Sequence, residues 1–407
     1  MNKQRKSALS RRQFLQVAGS TAVALSLPGI LSACRPSSAS GALKIGVLLP
    51  YSGIYAVLGE SITQGMQLYF EALGNEIAGR PIELITEDSK INPDVAQQKV
   101  RKLVEQDEVA FVTGIVSSGV LAGLRDYFHD NQVLCLCSNA GSNAHSRAAK
   151  TPYIWRTSFT NWMAPHAMGT WAAQNVGRTA VISVPDYAAG ENNVTSFTHS
   201  FTAAGGEVVA VQRTPFPNMG DPAPFMAELS ATGADLIYAF YSGSAAVTFV
   251  KAYHDFGLAQ QIPLTGAGFI VEEDVLPEQG AAAQGVKSTL FWSYVLDNPQ
   301  NAQFKTDFHA FAGRDADVFA VQGYDTACVI DEMLKRTEGD TAVGQLIAAL
   351  DGIQFDSPRG PFRLDAHSQA PEHNMYARDV QPVDGVLRNV ILENLGPIVD
   401  PGDDSMG

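Results

Sequence analysis

From Leu43 onward the chain alternates short apolar runs with amphipathic stretches, and that alternation leaves few ways to fold. "LKIGVLL" (43–49) reads as a strand, "SITQGMQLYFEAL" (61–73) as a helix, "IELITED" (82–88) as a second strand and "DVAQQKVRKLVEQ" (94–106) as a second helix. "VAFVTG", "SSGVLAGLRDYF" and "QVLCLCS" continue the pattern. A second series starts at "TAVISV" (179–184) and runs through "VVAVQRT", "DLIYAFY" and "IPLTGAG", again with helical stretches between. Strands alternating with helices build parallel sheets through right-handed crossovers, so the fold class is α/β. Two series imply two lobes, as expected for about 370 residues beyond position 34, more than one core holds.

The residues before that pattern read as an export segment. Lys3, Arg5, Lys6, Arg11 and Arg12 form a basic front, followed by an apolar run too short and too dilute to span a membrane. "SRRQFLQ" (10–16) resembles a twin-arginine signal and "LSAC" (31–34) a bacterial lipobox, which makes residues 1–33 a signal peptide and Cys34 a lipidated first residue. Small polar residues over 34–42 suit a flexible tether. The expected location is the periplasm or cell envelope, with membrane contact through the lipid alone.

The five basic leader residues leave 23 Lys and Arg against 42 Asp and Glu, a net charge of −19 that disfavours nucleic acid and anionic lipid headgroups. Cys135 and Cys137, two apart in an apolar strand, are expected to be buried thiols; with Cys328 they fall short of a metal ligand set, so no metal or cofactor is expected. No G-x-G-x-x-G follows the first strand, and G-x-S-x-G, H-E-x-x-H and P-loop signatures are absent from the sequence. A binding protein is therefore expected rather than an enzyme.

In doubly wound sheets ligands sit where strands end and helices begin. There the chain places Ser52, Gly53 and Tyr55, then Ser117, Ser118 and Gly119, then Asn139, Ala140, Gly141 and Ser142. Hydroxyls and backbone N–H groups at a helix start hold an anion without a formal positive charge. No Lys or Arg occurs in these loops before Arg147, so one carboxylate or amide suits them better than a phosphate.

"GVLLPYSGIYAVLGESITQGMQLYFEALG", "TEDSKINPDVAQQKVRKLVEQDEVAFVTGIVSSG", "CSNAGSNAH" and "FDSPRGPFRLDAHSQAPEHNMYARDV" (355–380) resemble the type I periplasmic binding proteins that feed branched-chain amino acid ABC transporters. The resemblance implies two Rossmann-like lobes joined by three hinge crossings, near 157–161, 290–293 and 360–366. It divides the chain into 43–158 plus 292–362, 159–291 plus 363–395, and a tail at 396–407. It implies a monomer that clamps a small molecule between its lobes and hands it to an inner-membrane permease with its ATPase. A ligand sensor for a membrane receptor is the alternative use of the same fold.

By that resemblance Ser118 holds a ligand carboxylate, with Asn139, Ala140, Gly141 and Ser142 beside it, and Tyr241 and Ser242 approach from the second lobe. Amino-acid binders carry an acidic residue where this chain has Gly268, so an α-amino acid is disfavoured unless Glu272 or Glu273 supplies the partner. "TSF-NW" followed by "DYAAG" is similar to the branch associated with aromatic or other non-amino-acid carboxylates. Tyr55, Trp162, Tyr187, Tyr241 and Phe269 form the expected aromatic lining. The expected ligand is a small, aromatic carboxylate without an α-amine; a branched-chain or other amino acid or amide is the alternative.

Overall fold

The computed structural model describes residues 41–403; Arg11, Arg12, Cys34 and most of the tether lie outside the described residues. The expected α/β alternation is what it shows. The first sheet contains β1 (Leu43–Leu49), β2 (Glu76–Ile77), β3 (Arg80–Asp88), β4 (Phe111–Gly114), β5 (Cys135–Cys137) and β6 (Ile154–Arg156). Their order is β2-β3-β1-β4-β5-β6, parallel apart from the short β2. β1 is buried along nearly its whole length because helices cover both faces of a parallel sheet. Cys135 and Cys137 are free, buried thiols on β5, flanked by β4 and the edge strand β6, and burial raises both above the usual thiol range.

The second sheet has a parallel half formed by β7 (Thr179–Pro185), β8 (Glu207–Thr214), β9 (Leu236–Ala239), β10 (Leu264–Ala267) and β11 (Lys287–Leu290), ordered β8-β7-β9-β10-β11. An antiparallel half follows: β12 (Gln354–Ser357), β13 (Gly360–Asp365), β14 (Ala370–Val383) and β15 (Val386–Ile398), with β14 hydrogen-bonded to β11, β13 and β15. The helices Pro299–Ala312 and Val318–Arg336 return to pack on the helix Ala56–Ala72 of the first lobe.

Two boundaries differ from expectation. Residues 354–362 pair into the second sheet through the β12–β13 hairpin, so the last passage between lobes falls after the helix Val343–Leu350 rather than near 360–366. The tail at 396–407 begins inside β15, and Asp400 beyond it is buried against Arg147 at 3.2 Å. The hairpin strands are short and half-exposed, and their partner β14 lies later in the sequence, so local pattern did not reveal their sheet.

The passages meet at Arg359, which is fully buried. Its Nη1 donates to the Ser158 carbonyl at 2.7 Å, its guanidinium lies 4.3 Å over the Phe291 ring, and its Nη2 pairs at 2.5 Å with Asp325 on the helix Val318–Arg336. Ser357 Oγ donates to the other carboxylate oxygen of Asp325. Breaking a buried pair strands a charge in low dielectric, whereas replacing both partners by apolar groups does not. Arg359→Met should therefore destabilise the protein by about 3–5 kcal/mol in urea unfolding, and Asp325→Leu added to it should restore most of that loss.

Candidate ligand cleft

The carboxyl ends of both sheets face one cleft. On the first-lobe side Gly114 (φ +108°) and Ile115 (φ +64°) end β4 in the left-handed region. A β-branched residue there is strained by about 1–3 kcal/mol and persists only where its surroundings over-determine it. Ile115 donates its N–H to the Leu48 carbonyl at 2.7 Å, and its own carbonyl accepts from Ala140 N at 2.9 Å. That reversal turns Val116 and Ser118 into the cleft.

Five helices bring their first residues to the same space: Ala56–Ala72 through Tyr55 and Leu58, Ser118–Asp130 through Ser118, Ala188–Ala203 through Tyr187 and Ala189, Ser244–Asp255 through the preceding Ser242, and Val318–Arg336 through Phe319. The first N–H groups of a helix have no partner within it, and each helix end carries about half a positive charge. The helices Pro93–Arg101 and Pro299–Ala312, remote from the cleft, are closed by side-chain caps from Asn92 and Asn298. Of the cleft helices, Val318–Arg336 is capped by Asp317, while those beginning at Ser118, Ala188 and Ser244 receive no side-chain cap, which leaves their ends available to an anion.

Asn139, Gly141, Phe159, Asn161, Phe240 and Phe269 complete the lining, which closes on a space of about 20 Å³. Asn161 Nδ2 donates to Ser118 Oγ at 3.2 Å, and Asn139 Nδ2 to Gln322 Oε1 at 2.7 Å. Phe159 and Phe269 lie 5.0 Å apart, Phe269 is edge-on to Phe240, and Tyr187 stacks on Phe216 at 4.1 Å. Among the described residues no acidic or basic side chain lines the cleft. Tyr55 and Tyr187, pushed above their usual range by burial, remain neutral phenols.

The lobes touch across this space. The hydroxyls of Tyr55 and Tyr187 hydrogen-bond at 3.2 Å. Gly243, at φ +57°, lies so close to the Ile54 carbonyl of the other lobe that a Cβ there would collide with it.

Seven of the residues singled out from sequence line the cleft: Tyr55, Ser118, Asn139, Gly141, Tyr187, Ser242 and Phe269. Five do not. Ala140 packs into the first-lobe core, and the Ser142 carbonyl accepts from Arg156 Nη1. Tyr241 hydrogen-bonds Ser183 and Thr214 and stacks on Phe249; successive side chains alternate, so Phe240 takes the cleft side instead. Trp162 stacks on His166 at 4.0 Å. Gly268 starts the turn that carries Phe269, and Arg378 donates to its carbonyl. Glu272 and Glu273 pair with Arg378 and Arg388, away from the cleft lining. Leu58, Val116, Phe159, Asn161, Ala189, Phe240 and Phe319 join the lining without having been singled out as site residues. The amide and ring in "SFTN" were the available signal for Phe159 and Asn161; Phe319 had none nearby.

A family model described as "Periplasmic binding protein" matches residues 42–385. A solute-binding protein of an ABC transporter from R. palustris, solved in complex with benzoate, is 36% identical, with a TM-score of 0.83 over 89% of this chain and 99% of that one. A second, from Rhodopseudomonas palustris BisB5 in complex with 3,4-dihydroxybenzoic acid, is 30% identical, with a TM-score of 0.85 over 89% and 99% of the two chains. Leu/Ile/Val-binding protein homolog 6 of Brucella melitensis is 29% identical over 93% of this chain and 98% of its own length.

Burial, and then the neighbouring His199, hold the His166 imidazole down to about 4. Its folded value lies below the unfolded one, so neutral His166 favours the fold above about pH 6.5, and that contribution fades as the pH falls towards 4. Trp162 emission, taken as the difference between wild type and Trp162→Phe, should change with a midpoint near pH 4 and lose that change in His166→Gln.

Proposed function

This chain belongs to the type I periplasmic binding proteins of the Leu/Ile/Val-binding group, and we propose that it is the extracytoplasmic solute-binding component of an ABC importer whose ligand is a small aromatic carboxylate without an α-amine. The observation that carries this reading is a ring-walled cleft with several helix N-termini, hydroxyls and amides, but no charged side chain. The ligand carboxylate accepts from Ser118 Oγ and from first-turn N–H groups, and the ring lies among Phe159, Phe240, Phe269 and Tyr187. The acids bound by the similar proteins belong to the same chemical class. An α-ammonium would be buried without an anionic partner, an expensive arrangement. The Ser118 hydroxyl has no basic side chain beside it in the lining to take its proton, which supports a holder of ligand rather than a catalyst.

Closure of the lobes around the ligand, stabilised by the ligand's preference for that state, presents it to the permease and its ATPase. The protein reaches the envelope through the Arg11–Arg12 signal and stays there on a lipid at Cys34. Intact-mass analysis of the membrane-bound protein should give a chain that begins at a diacylated Cys34; an unmodified thiol there would remove the anchor from this account.

Calorimetric titration tests the ligand. Benzoate and 4-hydroxybenzoate should bind, with little dependence on salt because no arginine or lysine clamps them. Leucine and phenylalanine should not bind. Ser118→Ala should weaken benzoate by about 1–3 kcal/mol, since it leaves the buried acid short of a donor. Tight leucine or phenylalanine binding with no response to the acids would refute the reading.

A further inference from the structure

Ser118, at the start of the helix Ser118–Asp130, has one hydroxyl proton, and its neighbours decide where that proton goes. Asn192, on the second-lobe helix Ala188–Ala203, sets the first step. Its Oδ1 accepts from the backbone N–H of Asn143 in the first lobe at 3.1 Å. A backbone N–H can only donate, so the Asn192 atom facing it is the carbonyl oxygen. The same oxygen faces Asn161 at 3.3 Å, so Asn161 presents its amide nitrogen there. That nitrogen carries two protons, and the second goes to Ser118 Oγ at 3.2 Å. Ser118 Oγ is therefore an acceptor towards Asn161, and its own proton is left for the cleft.

Asn161 is held for this by its place on the first passage between lobes. Its backbone N–H donates to the Gly141 carbonyl at 2.6 Å, and a Cβ on residue 141 would come within 2.6 Å of its Oδ1. Asn161 and Ser118 are buried and line the cleft, whereas Asn192 is half-buried and outside the lining. A second bond, from Asn143 Nδ2 to Ser196 Oγ at 3.4 Å, ties the same two lobes beside it. The chain Asn143–Asn192–Asn161–Ser118 thus crosses from one lobe to the other and back, and it exists only where the lobes meet.

We infer that Asn161 and Asn192 are positioning residues for the ligand headgroup: Asn192, reaching from the second lobe, fixes the Asn161 amide so that Ser118 offers its proton to the cleft. This rests on the reading of Ser118 as a holder of the ligand carboxylate. Without Asn192 the amide can turn over, present Oδ1 to Ser118 and take the proton that the ligand needs. With Asn192 in place, the matching headgroup is one that brings lone pairs and no proton to that point, as a carboxylate does. Lobe contact and headgroup selection are then a single event, because the donor is aimed as the second lobe arrives.

Calorimetry with benzoate tests the relay through the cost of Ser118→Ala in three backgrounds. In the wild type that substitution should weaken benzoate at least about fivefold. In Asn192→Ala the cost should shrink to about twofold or less, since the hydroxyl is no longer aimed. In Asn192→Asp it should return to the wild-type factor. The carboxylate keeps acceptors for Asn143 and Asn161, and its charge acts on benzoate alike with and without Ser118. A merely structural Asn192 would leave the Ser118→Ala cost equal in all three backgrounds, and that result overturns the assignment. Should Asn192→Ala fail to fold by circular dichroism, Asn161→Ala replaces it with the same reduced cost expected, and an undiminished cost again overturns the relay. If the wild type binds no aromatic acid, or if Ser118→Ala binds benzoate as tightly as the wild type, the functional reading has failed and this inference falls with it. If benzoate binds through Ser118 and the costs are equal, only the relay has failed.

Discussion

The guanidinium of Arg359 is the interaction on which the arrangement of the two lobes depends. It touches the Ser158 carbonyl in one passage between lobes, the Phe291 ring in another, and an aspartate on a first-lobe helix, all from the turn of the β12–β13 hairpin. A planar cation with a fixed donor fork can satisfy such divergent partners; an ammonium could not. Phe291 in turn stacks 5.9 Å from Phe159, which lines the cleft. The hinge and the ligand space are therefore the two ends of one packed row of rings, and interiors of that density transmit displacement rather than absorb it.

Charge is distributed by the same logic. Ion pairs gather behind the cleft: Arg378 with Glu272, and Arg388 bridging Glu273 and Asp315 with its guanidinium 3.8 Å over the Tyr294 ring. The lining keeps only dipoles. A pocket built this way offers an anion groups that need no counter-ion of their own.

The alternation of strands and helices was legible because a parallel sheet covered on both faces needs continuous apolar runs, and such runs are local. The loops of the cleft were legible for the same reason, since each follows directly from a strand. What could not be read were choices made by distant partners. Tyr241 and Phe240 are equally plausible as residues in "AFYSG"; which one faces the cleft depends on strand parity at β9. Trp162 belongs to a helix start whose roll is set by His166 beneath it. Gly141 is glycine because Phe159 and Asn161, distant in sequence, arrive in the space a side chain would fill. The β12–β13 hairpin follows a helix of the first lobe, yet β14, arriving later, draws it into the second sheet.

Where Gly243 meets the Ile54 carbonyl, the lobes come together main chain against main chain. A limit made of backbone does not yield as a rotamer would, so the closing stroke ends at the same point whichever solute occupies the space. Molecules that fit inside that limit produce one shape, and molecules that do not fit produce none of it. Whatever surface receives this protein is thus offered a binary signal, the same for every accepted ligand, with the chemistry of the cargo already filtered out.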